Sequence, residues 1–149
     1  MKVVGRKPRD HGTIVTVIGA LSVDGLDAVM TVEGGTSGDV FIMYTEHWLL
    51  PVLESGDVVV RDNLGAHEDI RVRELIEGVG ARLVVLPPHS PDLDPIELTW
   101  ANVKGFLRIA KARTIDALNN AVAIAMDLVT RRDARGWIRH CGYVLDQAD

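Results

Sequence analysis

Two short apolar runs constrain the fold of this 149-residue chain more than any other feature. Residues 57–61 (DVVVR) and 81–86 (ARLVVL) have the length and the β-branched content of strands that are buried on both faces. Between them, residues 66–77 are polar and rich in charge, and they end at Gly78 and Gly80. A strand, a helix and a strand within about 30 residues form a βαβ unit, so the sequence predicts a parallel pair with a right-handed crossover.

The residues before this unit predict a hairpin and one helix. β-Branched residues in 13–23 and a second run at 26–33 flank Asp24-Gly25, which suits a tight turn between antiparallel strands. Four aromatic or apolar residues then follow at spacings of 3, 4 and 4, which indicates an amphipathic helix with these residues on its buried face: Phe41, Tyr44, Trp48 and Val52. Residues 1–12 are basic and contain glycine and proline, so we expect a flexible arm there.

The residues after this unit predict further helices. Asp94 and Pro95 have the order of an N-cap and a first helical residue, and the helix they start should run to about Ala112. Thr114 is placed to cap a following helix. The rest of the chain is expected to be a short helix and a tail, within one domain over 13–149.

Composition excludes several classes of protein. With 16 basic and 21 acidic residues the net charge is −5, which argues against a protein that coats nucleic acid with an evenly basic surface. A local basic stripe remains compatible with that charge. The lone cysteine excludes an internal disulfide and a cysteine-rich zinc site. The sequence shows neither a secretory signal nor an apolar stretch long enough to span a bilayer, so a cytoplasmic protein without membrane contact is expected.

Two carboxylates are candidates for a metal site. Asp62 follows the first buried strand, and Glu97 begins the helix after the second, so one βαβ unit brings both to the same edge of the sheet. Paired carboxylates suit Mg²⁺, which takes one or two of them together with phosphate oxygens and water. The alternative is that Asp62 caps the helix near Ala66 and that Glu97 only stabilises the positive end of its own helix.

A basic stripe follows Glu97 along its helix. At 100° per residue three basic side chains lie within about 40° of Glu97: Lys104, Arg108 and Lys111. The opposite side is apolar and contains Trp100, which we interpret as a core residue. The stripe suits contacts to a phosphate backbone, although a solvated face with basic residues toward the helix C-terminus has the same pattern.

Two sequence blocks identify a family resemblance. Residues 60–67 (VRDNLGAH), residues 86–100 (LPPHSPDLDPIELTW) and Lys104, with 34 residues between Asp62 and Glu97, closely resemble the catalytic domain of bacterial insertion-sequence transposases of the mariner superfamily, the DDE superfamily endonucleases. Residues 137–143 (WIRHCGY) resemble the closing segment of these domains. The resemblance covers nearly the whole chain.

The resemblance implies a fold, an activity and partners. It implies an RNase H-like mixed α/β sheet flanked by helices, and an enzyme that hydrolyses phosphodiesters and transfers DNA strands during transposition. Asp62 and Glu97 would be the second and third acids of a triad that holds two Mg²⁺ or Mn²⁺ ions, with Asn63 and His67 in support. The partners would be transposon ends and target DNA, and the site of action would be the bacterial nucleoid.

The resemblance also implies that the chain lacks the first strand and the first acid of the family's catalytic domain. The first triad acid belongs to a central first strand before the hairpin, and no segment of residues 1–12 is expected to form that strand. Asp10 is the only acid there. We therefore expect a truncated sheet that lacks its first strand and is inactive alone. It would form a homo-oligomer or associate with a full-length transposase.

Two functions stay open from the sequence. The chain is either an active DNA transposase domain or a remnant that binds DNA or an intact transposase and interferes with it. A small phosphate-binding α/β module is a third interpretation, but the sequence has no glycine-rich phosphate loop to favour it.

Overall fold

A five-stranded mixed sheet forms the centre of the protein. A computed structural model describes residues 1–10, 14–34, 38–62, 66–88, 90–110 and 114–145. The strands are β1 (Lys2–Asp10), β2 (Ile14–Ser22), β3 (Gly25–Glu33), β4 (Val58–Arg61) and β5 (Arg82–Val85). Their spatial order is β3-β2-β1-β4-β5, in which β1, β4 and β5 are parallel and β2 is antiparallel to both of its neighbours. The predicted parallel pair and hairpin are both present.

The expectations of a flexible arm over residues 1–12 and of a missing first strand are wrong. Residues 2–10 form β1, which pairs with β2 over Val3–Asp10 and with β4 over Lys2–Val4. Composition misled the prediction because pairing on two sides, with Val3 and Val4 buried, outweighs a weak local strand propensity. Pro8 fits because the pairing with β4 ends at Val4, and a proline is tolerated where only one side of a strand is bonded.

The turn between β2 and β3 requires a glycine. Gly25 has a φ of +121°, a conformation that residues with a Cβ rarely adopt. The side chain of Ser22 accepts a hydrogen bond from the backbone N–H of Asp24 at 3.2 Å, which closes the turn. The hairpin predicted from Asp24-Gly25 is therefore confirmed.

Helices cover both faces of the sheet. On one face lie α1 (Gly38–Tyr44), which continues through a π-helical turn (Thr45–Leu49) and a 3₁₀ turn (Leu50–Val52), and α2 (Ala66–Gly78). On the other face lie α3 (Pro95–Ala110), α4 (Ile115–Leu128) and α5 (Arg131–His140). Two separate hydrophobic cores result, one on each face of the sheet. Thr114 caps α4 as predicted, because its side chain accepts from the N–H of Ala117 at 3.1 Å.

The π-helical turn shifts the buried face of the first helical segment. Phe41 and Tyr44 are buried as predicted, but Trp48 is 42% exposed and Leu49 takes the buried position. A π turn adds one residue to the helical repeat, so each later side chain moves one position along the face. The spacing prediction for Trp48 was wrong because it assumed an uninterrupted α-helix.

No helix within the described ranges is both long enough and apolar enough to cross a membrane.

Candidate active site

Asp62 lies directly after β4, at the carboxyl edge of the parallel strands. Its neighbour Arg61 is buried, and the guanidinium of Arg61 stands 4.4 Å from the centre of the Phe41 ring. The N–H of Leu86 donates to the carbonyl oxygen of Arg61 at 2.8 Å, so the chain leaving β5 stays beside the end of β4. The backbone at Asp62 is therefore held from both sides, while its side chain is exposed.

Glu97 lies in the first turn of α3. Its N–H donates to the carbonyl oxygen of Asp94 at 3.1 Å, which starts the helix. A 3₁₀ turn, Pro91–Leu93, comes just before, and the hydroxyl of Tyr143 donates to the carbonyl oxygen of Leu93 at 2.6 Å. The segment after α5 therefore fixes the entry to α3.

One cavity brings these two acids together. It has a volume of about 300 Å³ and lies outside the ends of β4 and β5. Its lining contains three carboxylates and a wall rich in proline: Asp62, Leu86, Pro87, Pro88, Ser90, Pro91, Asp94 and Glu97. The βαβ unit thus places Asp62 and Glu97 on one surface, although 34 residues separate them in sequence.

Asp94 is the carboxylate that the sequence analysis did not count in the site. It is 3% exposed and accepts a hydrogen bond from the N–H of Ile96, as an N-cap does. Its Oδ1 has no hydrogen-bond partner among the described residues. Burial, followed by the negative charges of Glu97 and Asp62, raises the pKa of Asp94 to about 7, and the hydrogen bond from the Ile96 N–H opposes this rise.

The role of N-cap explained Asp94 without any need for a site, which is why sequence reasoning overlooked it. The available signal was a third acid only three residues before Glu97. The two carboxylates act on Asp94 through space, so the structure shows three acids that share one electrostatic environment.

The other predicted site residues are described only in part. Asn63 and Lys111 lie outside the described residues. His67 is in α2 and Arg108 is in α3, and the structure describes the backbone alone at these positions. Lys104 is exposed on α3. Trp100 is buried against the sheet, which confirms its interpretation as a core residue.

The donor set of the cavity fits a hard divalent cation. Within the described ranges, no three His, Cys, Asp or Glu side chains are close enough to hold a metal ion as a group. Two carboxylates are nevertheless enough for Mg²⁺ or Mn²⁺, because water and substrate phosphate oxygens complete the coordination. One carboxylate oxygen of Asp94, Oδ1, also has no hydrogen-bond partner among the described residues.

The strand position level with Asp62 carries no carboxylate. Val4 of β1 lies opposite Arg61 of β4, so Gly5 is the residue beside Asp62. A Cβ built on Gly5 would lie 2.6 Å from Ile96 Cγ2 and 3.2 Å from Trp100 Nε1. Gly5 therefore faces α3, and α3 packs too closely on β1 to leave room for a side chain there.

Comparison with solved structures supports the fold. The catalytic domain of Mos1 transposase in a structure with Raltegravir and Mn superposes with a TM-score of 0.72 at 13% identity, over 97% of this chain and 84% of that one. The catalytic core domain of BIV integrase superposes with a TM-score of 0.57 at 13% identity, over 84% of this chain and 79% of that one. At these identities the likeness shows the fold, and it confirms the RNase H-like sheet that the resemblance implied.

Comparison of sequences gives two further results. A curated protein of Spinacia oleracea, large ribosomal subunit protein bL19c, is 29% identical over 100 residues. That match includes 62% of this chain, and the chain spans only 42% of the length of the relative, so it assigns no family. The family model described as DDE superfamily endonuclease matches residues 2–119, which is most of the chain and includes the whole cavity. The chain belongs to the DDE superfamily endonucleases.

Proposed function

We propose that this chain is the catalytic part of a DNA transposase that cuts and joins phosphodiesters with the help of Mg²⁺ or Mn²⁺. The observation that carries the proposal is the cavity in which Asp62, from the end of β4, meets Glu97, from the start of α3. Family membership supports the same chemistry. The proposed substrates are transposon ends and target DNA, so the protein would work at the bacterial nucleoid.

Each residue has a part in the proposed mechanism. Asp62 and Glu97 would bind the ions, with Asn63 and His67 as proposed supporting residues. The ions, when bound, activate the attacking water or 3′-hydroxyl and stabilise the leaving oxygen. Asp62 is suited to its part because its backbone is fixed by β4 and by Leu86.

The DNA strand requires contacts outside the cavity. Lys104 is exposed on the helix that starts with Glu97, and it would bind a backbone phosphate. Arg108 and Lys111 are proposed to continue this contact along the same stripe.

A second function has its own observation. Gly5 lies level with Asp62 where the resemblance implies a first triad acid, so the chain would lack one metal ligand. We propose as the alternative that it is a non-catalytic remnant that pairs with itself or with an intact transposase and interferes with it.

The experiment measures cleavage of a labelled transposon-end duplex by the purified chain in Mg²⁺ and in Mn²⁺. If the chain is an enzyme, Asp62→Asn and Glu97→Gln should each lower the rate by about a hundredfold or more, because a catalytic metal contributes several kcal/mol. Asp127→Asn is the matched control, since Asp127 is an exposed acid on α4 outside the lining of the cavity.

Absence of cleavage by the wild-type chain in both metals would contradict the enzymatic proposal. Co-purification of that inactive chain with an intact transposase would then support the alternative. Failure to associate with either the transposase or DNA would contradict the alternative as well.

A further inference from the structure

The charge of Asp94 is not explained by its role as a helix cap. Capping uses one hydrogen-bond acceptor, and Asn, Ser or Thr would provide it without a charge. Asp94 instead places a carboxylate in a buried position where Oδ1 has no partner among the described residues. A buried carboxylate is costly in its ionised form, and either a proton or a positively charged partner can relieve that cost.

We infer that Asp94 is the third carboxylate of the cation site, and that it binds the ion held by Asp62 and Glu97 through a metal-bound water. This inference rests on the proposed function. Contact through water fits the described residues, in which no three His, Cys, Asp or Glu side chains form a group that could hold one ion directly. Mg²⁺ keeps several of its waters in protein sites, and each of these waters can donate to a carboxylate.

The position of Gly5 supports the same conclusion. β1 provides no charge level with Asp62, because α3 packs directly against the backbone of Gly5. Asp94 precedes α3 and lines the cavity. A third negative charge thus reaches the cavity from α3 instead of from the central strand.

The test measures Mn²⁺ affinity by electron paramagnetic resonance titration of the metal-free protein at pH 8. A divalent ion about 6 Å from a unit charge in a water-like dielectric is attracted by an energy equal to about tenfold in affinity. Asp94→Asn should therefore weaken Mn²⁺ binding by about tenfold or more while it keeps the cap. Asp94→Ser is a second variant that keeps a capping side chain without the charge.

Asp127→Asn is the control and should change the dissociation constant by less than about twofold, because Asp127 is exposed on α4, lies outside the cavity lining and is screened. Unchanged Mn²⁺ affinity in folded Asp94→Asn, with weakened binding in Asp62→Asn, would overturn the inference and leave the proposed function standing. If the wild-type chain and Asp62→Asn bind Mn²⁺ equally poorly, the metal site of the proposed function fails as well.

An independent observation concerns four arginines on α5. At 100° per residue they occupy an arc of about 100°, and they line a groove of about 320 Å³: Arg131, Arg132, Arg135 and Arg139. Among the described residues, these arginines form one ion pair, in which Arg131 lies 3.3 Å from Asp24. The face therefore keeps most of its positive charge on an acidic protein.

Only the C-terminal end of α5 reaches the candidate active site, since His140 lies about 80° outside the arc of the arginines. α5 starts beside the β2–β3 turn, where Arg131 meets Asp24, and ends at His140. His140 lines a cavity of about 310 Å³ that also contains Glu97. We propose that the basic face binds the sugar-phosphate backbone of DNA, a second proposal that also rests on the proposed function.

The test measures binding of a fluorescein-labelled DNA duplex by anisotropy at several salt concentrations. Arg132→Ala combined with Arg139→Ala should weaken binding about tenfold and reduce the slope of log affinity against log salt by about 2, since each lost phosphate contact removes about 0.9. The matched control is Arg71→Ala combined with Arg73→Ala. These arginines lie on α2 across the sheet and already pair with glutamates.

An equal loss in the two double variants, or an unchanged salt slope, would overturn the proposal. Equally tight binding of polyglutamate and DNA would also overturn it, because the face would then select acidic protein segments. If the chain cleaves DNA, but the salt dependence of its DNA affinity is the same with and without Arg132 and Arg139, this proposal is refuted and the proposed function stands.

Discussion

Gly5→Ala tests directly whether residues 2–10 form the central strand of the sheet. The added Cβ would lie 2.6 Å from Ile96 Cγ2, about 1 Å closer than two carbons normally approach. Ile96 is fully buried and cannot move aside freely. Gly5 is not among the glycines with positive φ, so the added methyl group has a steric effect only.

We expect Gly5→Ala to lower the free energy of unfolding by about 1 to 3 kcal/mol, which is the usual cost of overpacking a core. For a chain of this length the melting temperature should fall by roughly 3 to 10 °C. Urea titration followed by tryptophan fluorescence measures the effect, since Trp100 packs beside Gly5. In an Ile96→Ala background the contact is absent, and Gly5→Ala should cost less than about 0.5 kcal/mol.

Gly105→Ala is the matched control. Gly105 lies inside α3, and a Cβ built on it has no neighbour within 4 Å. The same substitution should therefore stabilise the protein there, by up to about 1 kcal/mol. A neutral or stabilising Gly5→Ala would refute the reasoning, because an alanine in a flexible arm meets nothing.

Three further measurements follow from single side chains. Tyr143→Phe should lower the free energy of unfolding by about 1 kcal/mol, because the variant lacks the hydroxyl that donates to the carbonyl oxygen of Leu93. Urea titration measures this, and an unchanged midpoint would contradict the hydrogen bond. Asp94 binds a proton more tightly in the folded than in the unfolded state, so the metal-free chain in EDTA should lose about 2 kcal/mol of unfolding free energy between pH 5 and pH 8. Asp94→Asn should lose less, and parallel pH profiles of the two proteins would contradict this. Leu49→Ala should lower the free energy of unfolding by about 2 to 5 kcal/mol, and Trp48→Ala should lower it by less than about 1 kcal/mol. The reverse order would contradict the π-helical turn.

The two acids that meet in the cavity, Asp62 and Glu97, could be recognised from local patterns. Residues 57–61 and 81–86 predicted the parallel pair, and a βαβ unit admits one handedness, so the meeting of Asp62 with Glu97 at one edge followed from chain order. Trp100 as a core residue followed from helical period. These predictions succeeded because each depends on neighbours within one turn or one crossover.

Other features were decided by contacts between distant segments. Residues 2–10 have no marked strand pattern, and they form β1 because β2 and β4 both bond to them. Trp48 is exposed because a π-helical turn moves Leu49 into the core. Asp94 becomes part of the site because α3 and β4 bring Glu97 and Asp62 toward it. The sequence alone therefore determined the family, the βαβ unit and two acids, whereas tertiary packing decided the central strand and the third carboxylate. The physical reason is that burial and long-range pairing have energies that exceed local propensity.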